Sequence, residues 1–419
     1  MLKEKMLVPQ LRFPEFEGEW VEYKLDSLLK FKNGINASKE DYGYGYKFIN
    51  VLDIIQNDFI TYDKIRGEVN VSKEIFEKNL VQYGDILFQR SSETRDEVGQ
   101  SNVYLDKDNN ATFGGFVIRG KKIGSYEPFF FHLLLKSSTA RQEITTKSGG
   151  STRFNVGQDI LSSIKLLFPI LKEQQKIANF LTAIDNRIQT LEKKKTLLEQ
   201  YKKGVMQKIF KQELRFKDDT STSLSKSDGK AFPEWGEKKL VNILTEFNEK
   251  SVISNQHPIL SSTTKGLFKQ SDYFTRDIAS KDNTGYKILR KQQLVFSPQN
   301  LWLGNINVNC DFEVGIVSPS YKVFDFNKNL TSFIYCKYLL FTNRMFYEYA
   351  QASEQGASVV RRNLDMSSFK AIPIKLPSKE EQTKIANFLS AIDKNIELVT
   401  KKIEHTKTYK KGLLQQMFV

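Results

Sequence analysis

The sequence predicts an α/β protein with an internal repeat: two globular α/β domains joined by two long helices that form an antiparallel coiled coil. Three observations support this class. The segment from Pro169 to Phe210 recurs without a gap as Pro377 to Phe418, 208 positions later. Apolar residues in both copies follow a heptad spacing, and short strand-like runs precede each copy. The repeat predicts two similar halves, and 419 residues also exceed what one hydrophobic core usually supports.

The first domain is predicted over residues 1–168. It contains strand-like runs such as 47–55, 85–89 and 116–119, and a helical stretch over 130–146. Turns separate these segments. Short apolar runs bounded by turn residues are typical of strands, so we expect a compact α/β domain here.

The first long helix is predicted over residues 169–212. With Ile177 as position a, apolar residues occupy the a and d positions for about five heptads, although Lys195 and Lys202 replace them at d in the distal half. A rise of 1.5 Å per residue gives a rod of about 57 Å. A helix that only covered its own domain would not need this length.

A linker is predicted over residues 213–230, followed by the second domain over 231–376. Most of the linker is the segment KDDTSTSLSKSDGK, which has too few apolar residues to form a core. The second domain repeats Phe-Pro-Glu and a nearby tryptophan, and it has QLVF at 293–296 where the first has DILF at 85–88. Elsewhere the two domains differ, so a common framework carries different surfaces.

The second long helix is predicted over residues 377–419. It repeats the motifs KIANFL, AID and YKKG of the first, and Ser378 with Glu381 forms a capping box before it. Because two seams of equal length pair naturally with each other, we expect an antiparallel pair that relates the halves by a pseudo-two-fold axis. In the alternative, each helix packs only on its own domain. The residues expected between the helices are Ile177, Leu181, Ile184, Ile188, Leu191, Ile385, Leu389, Ile392, Ile396 and Val399.

Charge and composition restrict the class of partner. The chain has 63 Lys and Arg against 49 Asp and Glu, a net charge of +14, which favours nucleic acid although a merely soluble basic protein is the alternative. Two cysteines imply no disulfide framework, and no apolar run approaches the roughly 18 residues of a membrane span. We expect a cytoplasmic protein.

The motifs of common catalytic sites are missing or incomplete. Residues 115–121 have the spacing of a phosphate-binding loop, but Lys122 stands where Ser or Thr is required. The three histidines lack metal-ligand spacing, and the E-x-K segments at Glu22 and Glu237 leave little room for a nuclease metal site. We therefore predict no catalytic residues and no metal.

Candidate DNA-binding residues lie in polar, glycine-containing loops of both halves. Arg, Lys, Asn and Gln can read base edges, while Ser and backbone amides suit phosphates. For any one of these side chains, ordinary solvated surface remains the alternative. The candidates are Arg90, Ser91, Arg95, Lys147, Ser151 and Arg153 in the first half, and Lys265, Lys269, Gln299, Asn300, Ser358, Arg361 and Arg362 in the second.

Several motifs together resemble the specificity subunit of type I restriction-modification enzymes. They are FPEFEGEW at 13–20, GDILF at 84–88, and EQ-x-KIANFL followed by YKKG in both repeats. The resemblance covers essentially the whole chain, and its double occurrence makes it specific. The two departures are QLVF in the second half and the linker that separates Leu214-Arg215-Phe216 from Phe232-Pro233.

The resemblance implies a DNA-binding subunit with two target-recognition domains, each of which reads one half of a bipartite sequence. The two helices would set the spacer and dock two methyltransferase (modification) subunits; restriction/translocase subunits complete the complex. It implies a non-catalytic chain in a restriction endonuclease and adenine-N6 methyltransferase complex. S-adenosylmethionine, ATP and magnesium would be bound by the partner subunits and not by this chain. A DNA-binding coiled-coil scaffold and a stand-alone DNA endonuclease are the competing hypotheses.

Overall fold

A computed structural model describes residues 8–218, 231–275, 279–355 and 362–419. The chain divides into two compact units. The first contains the residues up to Glu192 together with Lys401–Val419, and the second contains Lys193–Thr400. Each unit therefore holds one globular part and a portion of each long helix.

In its described residues, the first unit contains eleven strands, seven α-helices, and 3-10 turns at Lys39–Asp41 and Tyr62–Lys64. The last of these helices continues into the second unit. The strands are β1 (Val21–Lys24), β2 (Leu29–Asn33), β3 (Tyr42–Ile49), β4 (Gly67–Val69), β5 (Ile86–Gln89), β6 (Ser91–Ser92), β7 (Ser101–Val103), β8 (Thr112–Phe113), β9 (Val117–Lys122), β10 (Phe154–Asn155) and β11 (Lys165–Phe168). The helices are α1 (Leu25–Leu28), α2 (Val51–Gln56), α3 (Lys73–Lys78), α4 (Pro128–Leu135), α5 (Ser138–Lys147), α6 (Gln158–Ser163) and α7 (Leu171–Phe210).

The second unit repeats this alternation of short strands and helices, with a 3-10 turn at Leu301–Leu303. Its strands are β12 (Gly236–Lys239), β13 (Leu244–Phe247), β14 (Leu260–Thr263), β15 (Gly266–Lys269), β16 (Lys287–Arg290), β17 (Leu294–Phe296), β18 (Ile306–Val308), β19 (Val314–Val317), β20 (Lys322–Phe326), β21 (Ser353–Gln355), β22 (Arg362–Leu364) and β23 (Pro373–Leu376). Its helices are α8 (Leu240–Ile243), α9 (Gln270–Tyr273), α10 (Phe333–Leu339), α11 (Asn343–Gln351), α12 (Met366–Ala371) and α13 (Lys379–Gln416), the last of which ends in the first unit.

The two units share one sheet plan. A four-stranded antiparallel sheet has the order β2-β9-β5-β7 in the first unit and β13-β20-β17-β18 in the second. A two-stranded ribbon, β1 with β11 or β12 with β23, precedes each long helix. The first unit also has the sheet β4-β3-β8, in which β3 and β8 run parallel. The predicted α/β class and internal repeat are confirmed.

A buried ion pair attaches the start of each long helix to its own unit. Glu173 is fully buried, and both of its oxygens accept hydrogen bonds from Arg12, at 2.8 and 2.7 Å. Glu381 is equally buried and accepts from Arg215 at 3.1 and 2.8 Å, and from the indole N–H of Trp235 at 3.1 Å. A buried carboxylate requires such partners because its desolvation is costly. The glutamate of the EQ motif is therefore a structural anchor.

The glutamine of the EQ motif connects each long helix to the start of a shorter one. The side-chain carbonyl of Gln174 accepts the backbone N–H of Glu127, the N-cap of α4, at 3.0 Å. That of Gln382 accepts the N–H of Ser332, the N-cap of α10, at 3.2 Å. Both glutamines are buried and donate to the proline carbonyl before their own helix. The repeated sequence thus preserves a repeated set of contacts.

Apolar residues of the long helices lie in the core of each unit. The first unit's cluster contains Ile177, Leu181, Ile184 and Ile188 of α7 with Leu413 of α13. The second unit's cluster contains Ile385, Leu389 and Ile392 of α13 with Val205 and Ile209 of α7. Of the other residues expected between the helices, Val399 is buried, whereas Leu191 and Ile396 are half-buried.

The AID and YKKG motifs form equivalent ion pairs. In the first unit a carboxylate oxygen of Asp185 lies 2.5 Å from Nζ of Lys410, and in the second Asp393 and Lys202 are at the same distance. In the first unit, the first part of α7 thus faces the last part of α13. In the second unit, the last part of α7 faces the first part of α13. The helices pack antiparallel, as predicted. Lys202, polar at a d position, has its charge compensated.

The departure of QLVF from DILF keeps the same turn. The carboxylate of Asp85 accepts the backbone N–H of Gln82 at 3.1 Å, and burial raises the pKa of Asp85 while this bond opposes the rise. In the second unit the side-chain oxygen of Gln293 accepts the N–H of Arg290 at 2.7 Å. A side-chain acceptor at this position closes the turn before β5 in the first unit and before β17 in the second.

The start of the predicted linker is packed in the second unit. Phe216 is buried in the core, next to Arg215 with its ion pair, whereas residues 219–230 lie outside the described part of the chain. Cys336 is buried and Cys310 half-buried, and both are free thiols. Among the described helices, none combines the length and apolarity needed to cross a membrane.

Candidate nucleic-acid interface

Arg90 and Ser91 directly follow the end of β5 in the first unit. The backbone N–H of Arg90 donates to the carbonyl of Phe116, and its carbonyl accepts the N–H of Val156, both at 3.0 Å. Ser91 lies opposite Asn155 in the β6–β10 pair, and its hydroxyl donates to the Asn155 side chain. Backbone bonds therefore hold this segment from two sides, while the Arg90 side chain is exposed.

Ser151 and Arg153 lie on an adjacent loop whose backbone is constrained. Gly149 and Asn155 close the loop with two backbone hydrogen bonds, of 3.1 and 2.8 Å. Gly150 has φ +118°, and a Cβ there would lie 1.9 Å from the carbonyl oxygen of Arg153. Only glycine fits this position. The loop presents both predicted side chains to solvent, beside the strand that pairs with Ser91.

Arg95 and Lys147, also predicted to bind DNA, hold parts of the first unit together. The Arg95 guanidinium donates to the carbonyls of Thr145 and Thr146 at 3.1 and 3.3 Å, in the last turn of α5. Lys147 pairs with Glu143 at 2.6 Å and donates to the Ser163 carbonyl at 3.0 Å. Cations commonly satisfy the free carbonyls at a helix C-terminus in this way.

In the second unit, Gln299 lies in the segment after β17, the counterpart of β5, one position beyond the residue aligned with Arg90. The Gln299 carbonyl accepts the backbone N–H of Arg362 at 3.3 Å. The Arg362 guanidinium stacks over the ring of Trp302 at 4.3 Å, which restricts its orientation. Gln299 is exposed, whereas Asn300 is half-buried in the turn that follows.

The other candidates in the second unit are more scattered. Lys265 is exposed in the turn between β14 and β15, where its backbone N–H donates to Oγ1 of Thr263 at 3.0 Å. Lys269 is exposed at the end of β15 and borders a cavity of about 630 Å³. Ser358 and Arg361 lie outside the described residues.

Phe116 is an exposed residue whose predicted secondary structure is wrong. The run 116–119 predicted a strand, but β9 begins at Val117 and Phe116 lies in the preceding turn. Its side chain is 67% exposed. Two glycines, 114 and 115, precede it, and they were the available signal for a turn. Among the described residues, no cluster of three or more His, Cys, Asp or Glu could hold a metal ion.

Comparison with known proteins assigns the family. Residues 17–200 and 304–407, over half of the chain, match the type I restriction modification DNA specificity domain. The chain belongs to this family. Its members recognise DNA sequence in type I restriction-modification systems. The family that the amino-acid sequence predicts is confirmed.

Two curated relatives and one solved structure are also similar to this chain. A putative type I restriction enzyme MjaX specificity subunit from Methanocaldococcus jannaschii is 26% identical, over 96% of this chain and 93% of that protein. The MjaIX specificity subunit from the same organism is 23% identical over 70% of this chain and 68% of its own length. The fold is similar to the type I S subunit from M. genitalium, with a TM-score of 0.53, 15% identity, and coverage of 98% of this chain and 99% of that one.

Proposed function

We propose that this specificity subunit reads a bipartite DNA sequence, with one half-site for each unit, and that its long helices set the spacer and dock the modification subunits. The observation that carries the proposal is the repeated framework with different exposed side chains. The segment after β5 exposes Arg90 in the first unit, and the segment after its counterpart β17 exposes Gln299 in the second. Arginine favours guanine and glutamine favours adenine in the major groove. Two such surfaces on one framework suit two different half-sites.

Arg153 is the proposed base-reading residue with the clearest geometry. Its loop is held by the Gly149–Asn155 bonds, and its side chain is exposed. In site selection with the full chain, Arg153→Ala should weaken or relax one position of one half-site by about 1–3 kcal/mol. Gln299→Ala is the matched variant and should affect only the other half-site. Equal loss on random DNA, with a lower salt slope, would instead indicate a phosphate contact.

The length of the two long helices supports the proposed spacer role. α7 is an uninterrupted helix of 40 residues, and α13 has 38. Four residues inserted after Glu192 and four after Thr400 leave the contacts within each unit intact, and they lengthen each helix by about 6 Å. The preferred spacer should grow by about two base pairs at 3.4 Å per step, while both half-site sequences stay the same. Replacement of four residues at each position, without insertion, is the control. An unchanged spacer contradicts the ruler hypothesis.

Docking of modification subunits is proposed at the exposed faces of the long helices. Tyr201 and Tyr409, the tyrosines of the two YKKG motifs, are 51% and 58% exposed. Exposed tyrosines are favoured anchors in protein interfaces, and a duplicated one suits two copies of the same partner. Native mass spectrometry should show two modification subunits on the wild-type chain and one on Tyr201→Ala or Tyr409→Ala. The control variant His405→Ala, on the same helix as Tyr409, should still bind two modification subunits. Two subunits on every variant would refute this docking site.

The chain itself is proposed to be non-catalytic, with S-adenosylmethionine, ATP and magnesium bound by the partner subunits. Glu22 of the first E-x-K segment is paired with Lys165 at 2.8 Å across the β1–β11 ribbon, which favours a structural role. A gel-shift series at stated salt, with and without a modification subunit, separates the alternatives. Cleavage by the purified chain with magnesium alone would support the endonuclease, and a lack of sequence preference would support the scaffold.

A further inference from the structure

Phe116 is held at the tip of a rigid turn in the first unit. The N–H of Val117 donates to the carbonyl of Gly114 at 2.8 Å and closes the turn. Phe113 and Val117, on either side, are fully buried, whereas Phe116 is 67% exposed. The turn therefore points one large apolar side chain away from the core.

The surrounding loops fix the backbone that carries this ring. The Phe116 carbonyl accepts the N–H of Arg90 at 3.0 Å, and the N–H of Ile35 donates to Phe113 at 2.9 Å. A Cβ at Gly115 would lie 1.9 Å from the side-chain oxygen of Asn36, so the neighbouring loop packs directly against the turn. Isolated exposed apolar residues are common on surfaces. One held in place by several backbone bonds is better suited to a defined contact.

Polar groups that suit DNA flank the ring. Arg90 and Asn36 are both exposed, and each adjoins the turn through the contacts above. Arginine and asparagine hydrogen-bond to purine edges in the major groove. The apolar feature of that groove is the C5-methyl group of thymine, and phenylalanine is one of the side chains that contact it.

The equivalent turn of the second unit carries different chemistry. It connects β19 to β20, and the N–H of Tyr321 donates to the carbonyl of Ser318 at 3.0 Å, in the same closing pattern. Ser320 occupies the position of Phe116 and is exposed. The framework is kept while an apolar tip is replaced by a hydroxyl. This is the difference expected at a position that distinguishes bases.

We infer that Phe116 is a specificity-determining residue that contacts the C5-methyl group of a thymine in the half-site read by the first unit. This inference rests on the proposed function. The contact adds recognition of one thymine to hydrogen-bond readout by neighbouring polar side chains. The second unit, with Ser320 at the same place, makes no such methyl contact.

The test removes only the methyl group from the DNA. Once site selection has defined the target, each thymine is replaced by deoxyuridine, and affinity is measured with the full chain. For the wild type, deoxyuridine at one position of the first unit's half-site should lower the affinity about fourfold, the value expected for one buried methyl group. Phe116→Ala should show no loss at that position. Arg90→Ala, the matched control, should bind more weakly but keep the fourfold loss.

Other results overturn the inference. Full deoxyuridine sensitivity in Phe116→Ala, or wild-type affinity that no deoxyuridine substitution changes, is incompatible with a methyl contact. Insertion of the ring between bases would appear as increased fluorescence of 2-aminopurine at the site, without deoxyuridine sensitivity. Loss of modification-subunit binding with unchanged DNA preference would make Phe116 a protein contact. Failure to select any bipartite site with the wild type refutes the proposed function instead, and unchanged recognition of the second half-site shows that each variant is folded.

Discussion

Arg12→Met should destabilise the first unit far more than its position near the surface suggests. Arg12 donates two hydrogen bonds to Glu173, which has no exposed surface. Methionine retains much of the apolar stem of the arginine but removes its charge, so a buried carboxylate loses its cation. Breaking a buried ion pair from one side costs about 3–5 kcal/mol, because the remaining charge is uncompensated.

A double variant separates this charge effect from packing. Arg12→Met with Glu173→Gln leaves a neutral amide in place of the carboxylate. We expect it to lose about 2 kcal/mol less than Arg12→Met alone, since the cost of an unpaired buried charge is removed. Arg215→Met, at the equivalent ion pair with Glu381, is the matched perturbation of the second unit.

Denaturant unfolding followed by tryptophan fluorescence measures these changes unit by unit. Trp20 is buried in the first unit, and the other two tryptophans, Trp235 and Trp302, belong to the second. With both of those replaced by phenylalanine, the signal reports the first unit alone. If Arg12→Met is no less stable than the double variant, the ion pair does not anchor the helix electrostatically, and the reasoning from burial is wrong.

Three further predictions concern the core, pH and the recognition loop. Leu389→Ala should cost about 2–5 kcal/mol in urea unfolding, because the side chain is fully buried; a loss below 1 kcal/mol would contradict the packing. Burial, with smaller effects of nearby lysines, lowers the pKa of His132 well below 6.5, so the folded unit keeps it neutral. Its contribution to stability is complete above the unfolded pKa and falls as pH drops below it; unfolding at pH 7 and pH 5 should show a smaller decrease for His132→Gln than for the wild type. Gly150→Ala should weaken specific DNA binding because its Cβ has no room, whereas Gly149→Ala, which meets open space, should not; equal gel-shift affinities would refute the constraint on that loop.

The long helices were the part of the fold most accessible from sequence. Heptads and the gapless repeat predict two antiparallel helices, and the Asp185–Lys410 and Lys202–Asp393 pairs together show that orientation. The repetition of the EQ motif is visible in the sequence, but its anchoring role is not, since a glutamate at a helix start usually stays in solvent. Only the fold brings Arg12, 161 residues earlier in the chain, against Glu173.

The polar loops of the proposed interface are recognisable in the sequence, but the contacts of their individual side chains are not. Arg90, Arg95 and Arg153 are all exposed, but the Arg95 guanidinium also donates to a carbonyl in the last turn of α5. All three are arginines in polar segments, so composition does not distinguish them. The apolar run that contains Phe116 predicts a strand, but the bond from the N–H of Val117 to the carbonyl of Gly114 places Phe116 in a turn.

The repeat, the length and periodicity of the two helices, the basic charge and the family can all be read from the amino-acid sequence, because each depends only on composition or on the order of residues along the chain. Only the tertiary structure shows which polar residues are buried anchors, which cations bind backbone carbonyls, and which side chains are exposed. These roles depend on contacts between residues far apart in sequence. Whether a side chain is paired or free is set by such neighbours, and not by its own local pattern.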